Sequence, residues 1–198
     1  MPIDQAIAFF VFALVAAGTP GPSNVLLTTA GANLGILGGI PTVLGVSLGM
    51  GLMLFLVALG LGGLLLDNPV ALEALKWGGA VFLLWLAYKI ASADGKSGGA
   101  SHWALGFLPA AAFQWVNPKS WLVSASAAAT YLGADAGNAG LAAFSLAAVF
   151  VAAALPSCLA WLTFGAAIHR VLQNERHLRL FNLAMGGLLA ASVLWILF

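Results

Sequence analysis

The sequence predicts an all-α integral membrane protein: six transmembrane helices arranged as two inverted three-helix repeats with broken first helices. Three observations carry this reading. Charge is scarce, the apolar stretches are continuous, and interruptions recur at matching places in the two halves. Only 7% of the 198 residues are charged and 62% are hydrophobic, where a soluble domain carries about a quarter charged. Mean hydropathy is +1.04. Seven Lys/Arg and six Asp/Glu cannot clothe a water-soluble globule of this length. The apolar runs do not alternate with polar residues, which excludes a transmembrane barrel. A formal net charge of +1 offers no basic field for nucleic acid. The single cysteine, Cys158, lies in an apolar run, so neither an intramolecular disulfide nor a cysteine metal cage is expected.

Charges mark out the spans. None occurs between Asp4 and Asp67, and at about 20 residues per span this interval holds two. The first covers residues 3–32, broken at Thr19-Pro20-Gly21-Pro22, and the second residues 36–66. A third covers 70–91, with Glu73 and Lys76 near its start. The polar stretch 92–103 reads as a linker. A fourth span covers 104–131 with Asn117-Pro118-Lys119 in its middle, and a fifth covers 140–168. The charged loop 169–179 follows, and a sixth span runs to Phe198. The whole is one transmembrane domain, 1–198, with repeat 1 about 1–91 and repeat 2 about 104–198. The N-terminal stretch lacks the Lys/Arg region of a cleaved signal peptide, so the first helix is expected to stay in the mature protein. Six spans put both termini on one face. The loops after spans 3 and 5 hold Lys89, Lys96, Arg170, Arg176 and Arg179, against Lys76 alone on the opposite face. Basic loops stay cytoplasmic, which places both termini in the periplasm.

Pro20 precedes Pro118 by 98 residues, and the pairs Gly78-Gly79 and Gly186-Gly187 are 108 apart. An odd number of helices per half forces the second half to enter the membrane inverted. Inverted repeats with paired discontinuous helices are the architecture of secondary transporters, and the interruptions point at the binding site. The alternative is coincidence in a chain rich in Gly, Ala and Leu.

At Gly18-Thr19-Pro20-Gly21-Pro22-Ser23-Asn24, the prolines lack the N–H groups that would bond the carbonyls of Ala16 and Gly18. Pro22 suits the first position of a new helix after Gly21. The amides near Ser23, Asn24 and Val25 would then form a half-helix N-terminus suited to a carboxylate. Carbonyls left open upstream suit an ammonium, so a zwitterionic amino acid fits both. A plain proline kink is the competing reading.

Lys119 lies in the middle of its apolar stretch, roughly 18–22 Å from either edge at 1.5 Å per residue. Snorkelling spans only about 6 Å, so its ammonium must face the bundle interior or a cavity. There it can hold a substrate carboxylate, and by releasing its proton it can couple transport to protons. A structural lysine capping carbonyls loosened by Pro118 is the alternative. No Asp or Glu lies deep in any span to serve as a fixed counter-ion.

Weaker signals have plainer readings. Gly45-x-x-x-Gly49 reads first as close helix packing and second as a homodimer face. Trp77, Trp85, Trp115, Trp121, Trp161 and Trp195 read as interfacial anchors or packing. His102, His169 and His177 fall at or beyond span ends and read as solvated, and Cys158 as a small packed residue.

With these residues in view, the chain resembles the LysE/RhtB family of amino-acid exporters along nearly its whole length. The resemblance rests on Thr19-Pro20-Gly21-Pro22 with Asn24, followed by the Gly31, Gly35, Gly39, Gly45 and Gly49 spacing. It rests equally on Asn117-Pro118-Lys119 within Gln114–Trp121. Lys76-Trp77-Gly78-Gly79-Ala80 with Leu83 and Leu86, Trp161 with Gly165, and Phe181-Asn182 give further support. The resemblance implies proton-driven efflux of amino acids or close relatives across the cytoplasmic (inner) membrane. The expected partners are a small-molecule substrate and the lipid bilayer, with no nucleic acid and no cofactor.

The chain also departs from the family's pattern. Asn33-Leu34 stands where the family often has a basic residue, and Ala129-Thr130-Tyr131-Leu132 replaces a Leu-Pro-Gln-Phe-like stretch. Members that export basic amino acids carry an acidic residue near the start of span 2, and Gly45-Val46-Ser47-Leu48-Gly49 offers none. Small neutral substrates are therefore expected, in the threonine, homoserine, leucine or cysteine-derivative range. The substrate-binding candidates are Thr19, Pro20, Gly21, Pro22, Ser23, Asn24, Asn117, Pro118 and Lys119.

Other classes fare worse. An intramembrane hydrolase would have only a Ser–Lys dyad to work with. A metal-ion transporter would need clustered carboxylate, His or Cys ligands within the spans. A passive structural subunit explains neither break nor the buried lysine.

Overall fold

The computed structural model describes residues 1–63, 68–93, 105–132, 138–171 and 175–197. Lys96 and His102 lie outside them, as do the side chains of His169, Arg170 and Trp195. The described residues form helices α1 (Ile3–Gly18), α2 (Pro22–Leu56), α3 (Pro69–Ala91), α4 (Phe107–Val116), α5 (Pro118–Tyr131), α6 (Ala139–Val171) and α7 (Glu175–Leu197). A π-helical turn, Val57–Leu61, extends α2.

Four helical stretches are long and apolar enough to cross a membrane: Pro22–Leu61, Pro69–Ala91, Ala139–Ile168 and Arg176–Leu194. Large apolar side chains lie exposed along all of them, Leu37, Val81, Phe144 and Leu188 among others, as lipid-facing surfaces do and water-facing ones do not. The 40 residues of Pro22–Leu61 would span about 60 Å if straight, twice the hydrocarbon thickness. They are not straight. Gly35 has φ 70 and ψ −175, a backbone conformation essentially reserved for glycine. Before it the chain runs parallel to α6: Leu14 meets Ser157, and Thr28 meets Gly165. After it the chain runs antiparallel: Gly39 meets Leu162, Ser47 meets Cys158, and Gly51 meets Val151. The chain therefore reverses its direction along α6 at Gly35.

Two further helical runs are broken. α1 and the first half of α2 form one run interrupted at residues 19–21, and α4 and α5 form another interrupted at Asn117. Both second half-helices begin with proline at their first turn, Pro22 and Pro118. Pro22, not Pro20, is thus the structural counterpart of Pro118. The two runs are antiparallel: Gln5 Nε2 donates to Tyr131 O (3.3 Å), while Lys119 Nζ donates to Thr19 O. Their breaks meet side by side.

Glycines set how closely helices approach. A Cβ on Gly31 would overlap the carbonyl of Leu162, and one on Gly165 the carbonyl of Thr28. Gly45 and Gly49 lie against Phe107, Ala110 and Ala111 of α4. The Gly45-x-x-x-Gly49 face is filled within the chain, which confirms close packing and removes the homodimer reading of that stripe. α3 packs on α7, with Gly186 against the Ala87 carbonyl. Near the Gly35 end, Asn33 and Asn182 exchange amide hydrogen bonds (2.8 and 3.0 Å), and Asn182 also donates to Ala93 O. Asn182 is fully buried, so this satisfied amide pair ties the first run to the ends of α3 and α7.

Candidate functional site

Each break frees backbone groups, and the structure accounts for most of them. Pro22 has no N–H for the Gly18 carbonyl, which instead accepts from Trp161 Nε1 (3.2 Å). Asn24 Nδ2 donates to Thr19 O (2.8 Å) and Ala17 O (3.3 Å), sealing the C-terminal end of α1. Pro20 leaves the Ala16 carbonyl without its helical donor. At the second break Trp121 Nε1 donates to Trp115 O (2.8 Å). Trp121 and Trp161 are therefore carbonyl caps at the breaks rather than interfacial anchors. Trp77 is exposed, with its indole donating to Glu73 Oε2 (2.9 Å), and His177 is exposed as expected.

The two half-helix starts differ. Asn117 caps α5: its Oδ1 accepts from Lys119 N (3.1 Å) and its carbonyl from Ser120 N (2.9 Å). Gly21 provides no side-chain cap for α2. Asn24 N and Val25 N both bond the Gly21 carbonyl (2.9 and 3.1 Å), which leaves the Ser23 amide as the open donor. The anion-binding end predicted from Ser23, Asn24 and Val25 thus narrows to Ser23.

Lys119 is half-buried and reaches across the chain to the other break, its Nζ donating to Thr19 O at 2.7 Å. That carbonyl is loosened by the prolines of the first break, not by Pro118. Gly21 makes room for the contact, since a Cβ there would lie 3.2 Å from both Lys119 Cδ and Nζ. Lys119's partner is neutral, and no carboxylate among the described residues pairs with it.

A polar network joins the breaks. Ser23 Oγ and Ser120 Oγ both donate to Gln114 Oε1 (3.2 and 3.0 Å). Asn117 Nδ2 donates to Ser23 Oγ (3.2 Å), and Gln114 Nε2 to Ala110 O (3.0 Å). Both serine hydroxyls are committed to Gln114, so neither Ser23 nor Ser120 pairs with Lys119.

These groups wall an inner cavity of about 50 Å³, space for roughly four waters. Gly21, Ser23, Asn24, Gln114, Asn117 and Lys119 form its polar side. Val46, Met50, Phe150, Ala154 and Cys158 form its apolar side, and Ala16 and Ala17 also line it. The lining holds no carboxylate. A second, larger cavity of about 780 Å³ shares Gly21, Asn117 and Lys119 with the first and adds Pro20, Pro22 and Pro118. All nine candidate residues therefore gather at the junction of the breaks. Thr19 takes part through its carbonyl only, because its hydroxyl donates back to Val15 O. Sequence reasoning passed over Gln114, Ser120 and Cys158 as site residues. An amide in an otherwise apolar span was the signal available for Gln114. Among the described residues no His, Cys, Asp or Glu group could hold a metal ion.

The chain is 33% identical over 126 residues to the cysteine/O-acetylserine efflux proteins of Escherichia coli (strain K12) and Shigella flexneri serotype 5b (strain 8401). That alignment covers 63% of this chain, and the chain spans 64% of the length of these curated relatives. No solved structure matches it. The family model for LysE type translocators matches residues 14–196. With apolar membrane-crossing helices throughout and a family match over nearly its whole length, this chain is a multi-pass membrane protein that belongs to the LysE type translocator family.

Proposed function

We propose that the chain is a secondary exporter of small neutral amino acids or their derivatives across the cytoplasmic (inner) membrane, coupled to protons. Its six passes form two inverted repeats, 1–91 and 104–198, joined by the linker 92–103, with the substrate held between the two broken helices. One observation carries the reading: Lys119, at the second break, lies on the open backbone of the first and lines the cavity between them. Lys119 and the Ser23 amide receive the substrate carboxylate, and the Ala16 carbonyl receives its ammonium. The side chain faces Met50, Phe150 and Cys158. Lys119 is the group whose proton couples transport to the gradient. The similarity to cysteine/O-acetylserine efflux proteins supports a polar, uncharged side chain.

A cationic side chain would enter a cavity whose lining has no carboxylate, and burying that charge unpaired is costly. Cells expressing the chain should therefore tolerate excess cysteine, O-acetylserine, threonine or homoserine and retain less of it. Selective export of lysine or arginine, with neutral amino acids ignored, would overturn the substrate reading.

Both termini face the periplasm in this reading, from the five-to-one Lys/Arg bias between the two sets of loops. Alkaline phosphatase fused after Phe198 should be active, and the same reporter inserted at Lys96 inactive. The reverse pattern would overturn the orientation and leave the number of passes intact.

A further inference from the structure

The larger cavity is not needed to explain the inner site. It runs from the helix breaks toward the face that carries the starts of α1 and α3. Its walls are Pro20–Pro22 and Lys119 on one side, Trp121, Leu122 and Ala125 of α5 on another, and the first turns of α3 with Ser192 of α7 on the third. At about 780 Å³ it falls within the range of small-molecule sites. The opposite face is closed by the Asn33–Asn182 pair and the Gly31 and Gly165 contacts with their backbone partners. An amino acid leaving the inner cavity in this conformation therefore passes through the larger one.

Two charges stand in that mostly apolar vestibule, in a chain with few charges to place: Glu73 and Lys76. They are three residues apart on α3, a spacing at which opposite charges on a helix ordinarily pair. They do not pair here. Glu73 Oε2 accepts a hydrogen bond from the Trp77 indole N–H, and Lys76 forms no ion pair with Glu73. A carboxylate and an ammonium without ionic partners, on neighbouring positions of one helix face, complement the ammonium and carboxylate of an α-amino-acid head group. The inner site offers the ammonium only neutral acceptors, so Glu73 supplies an anionic partner that the inner site lacks.

We propose that Glu73 and Lys76 form a second, weaker binding site for the zwitterionic head group of the substrate, through which it leaves the inner cavity. Side chains lie along Leu72, Leu75 and Trp121, so this site reads the head group and selects little among neutral side chains. The proposal rests on the export reading, and the experiment separates the two.

The purified chain in lipid nanodiscs is titrated with radiolabelled cysteine, under reducing conditions, and with O-acetylserine. Binding is expected in two phases. Replacing both charges together (Glu73→Gln with Lys76→Gln) removes the weaker phase and keeps the tighter one, whereas Lys119→Ala weakens the tighter phase. On the unaltered chain, cysteine methyl ester, which has no carboxylate, should fail to displace the weaker phase. A single phase, weakened by Lys119→Ala and untouched by the paired substitution, overturns the second site and leaves the export reading standing. Displacement of the weaker phase by the ester overturns it as well. Absence of saturable binding to the unaltered chain overturns both.

Discussion

Lys119→Ala should lower apparent affinity for the exported amino acid by roughly 10- to 150-fold, the equivalent of about 1.5–3 kcal/mol for a charge-assisted hydrogen bond. The ammonium now rests on the Thr19 carbonyl, 2.7 Å away, at the wall of the inner cavity. A carboxylate is a stronger acceptor than a carbonyl, so substrate can take the lysine from Thr19, the incoming negative charge being paired with the ammonium. The Thr19 carbonyl retains its bond from Asn24, and the α1 end stays capped when the lysine leaves. Lys119→Arg should rescue poorly. The guanidinium is bulkier, it must fit beside Gly21 where even a methyl group would crowd the existing side chain, and it hardly releases a proton. The measurement is efflux from vesicles holding equal amounts of each variant. A Lys119→Ala variant that inserts normally and exports with wild-type rate and affinity would make the lysine a structural cap for Thr19.

Gly165→Val should deplete folded protein from the membrane, whereas Gly78→Ala should not. A Cβ on Gly165 would overlap the Thr28 carbonyl, which is backbone and cannot turn aside as a side chain would. The helices would have to separate, and overpacking of this kind costs about 1–3 kcal/mol or more. Nothing lies within 4 Å of a Cβ built on Gly78. Monodispersity and thermal stability in detergent check this directly. Equal behaviour of the two variants would mean that the α2–α6 approach at Thr28 is looser than described.

The pair Gly78-Gly79 illustrates where reading the sequence stops. The sequence marks both glycines alike, yet only Gly79 meets a neighbour, the Val116 carbonyl just before the second break. Leu162 is fully buried and Leu122 is 69% exposed, though both lie in apolar stretches. In a soluble protein polar residues would mark the outer face. In lipid the outer face is as apolar as the core, so hydrophobic patterning says which segments enter the membrane and little about which way they turn.

The sequence by itself determined what large, local penalties enforce. Thirteen charges in 198 residues compel a membrane protein, and a lysine too deep to snorkel compels an interior position; the Pro20-Gly21-Pro22 and Asn117-Pro118 clusters mark the breaks, whereas Pro41 and Pro156 stay inside helices. Only the tertiary structure decided which partners those features find. It gave Lys119 the Thr19 carbonyl, made Pro22 the counterpart of Pro118, and turned Trp161 into the cap of Gly18. It also brought Gln114 between Ser23 and Ser120, and filled the Gly45 and Gly49 stripe with α4. Each of these depends on the direction and rotation of helices whose contacting residues lie far apart in sequence, 100 positions for Thr19 and Lys119 and 143 for Gly18 and Trp161. No local energy term fixes such pairings; they are settled when the reversal at Gly35 and the close approach at Gly31 and Gly165 set the helices against one another.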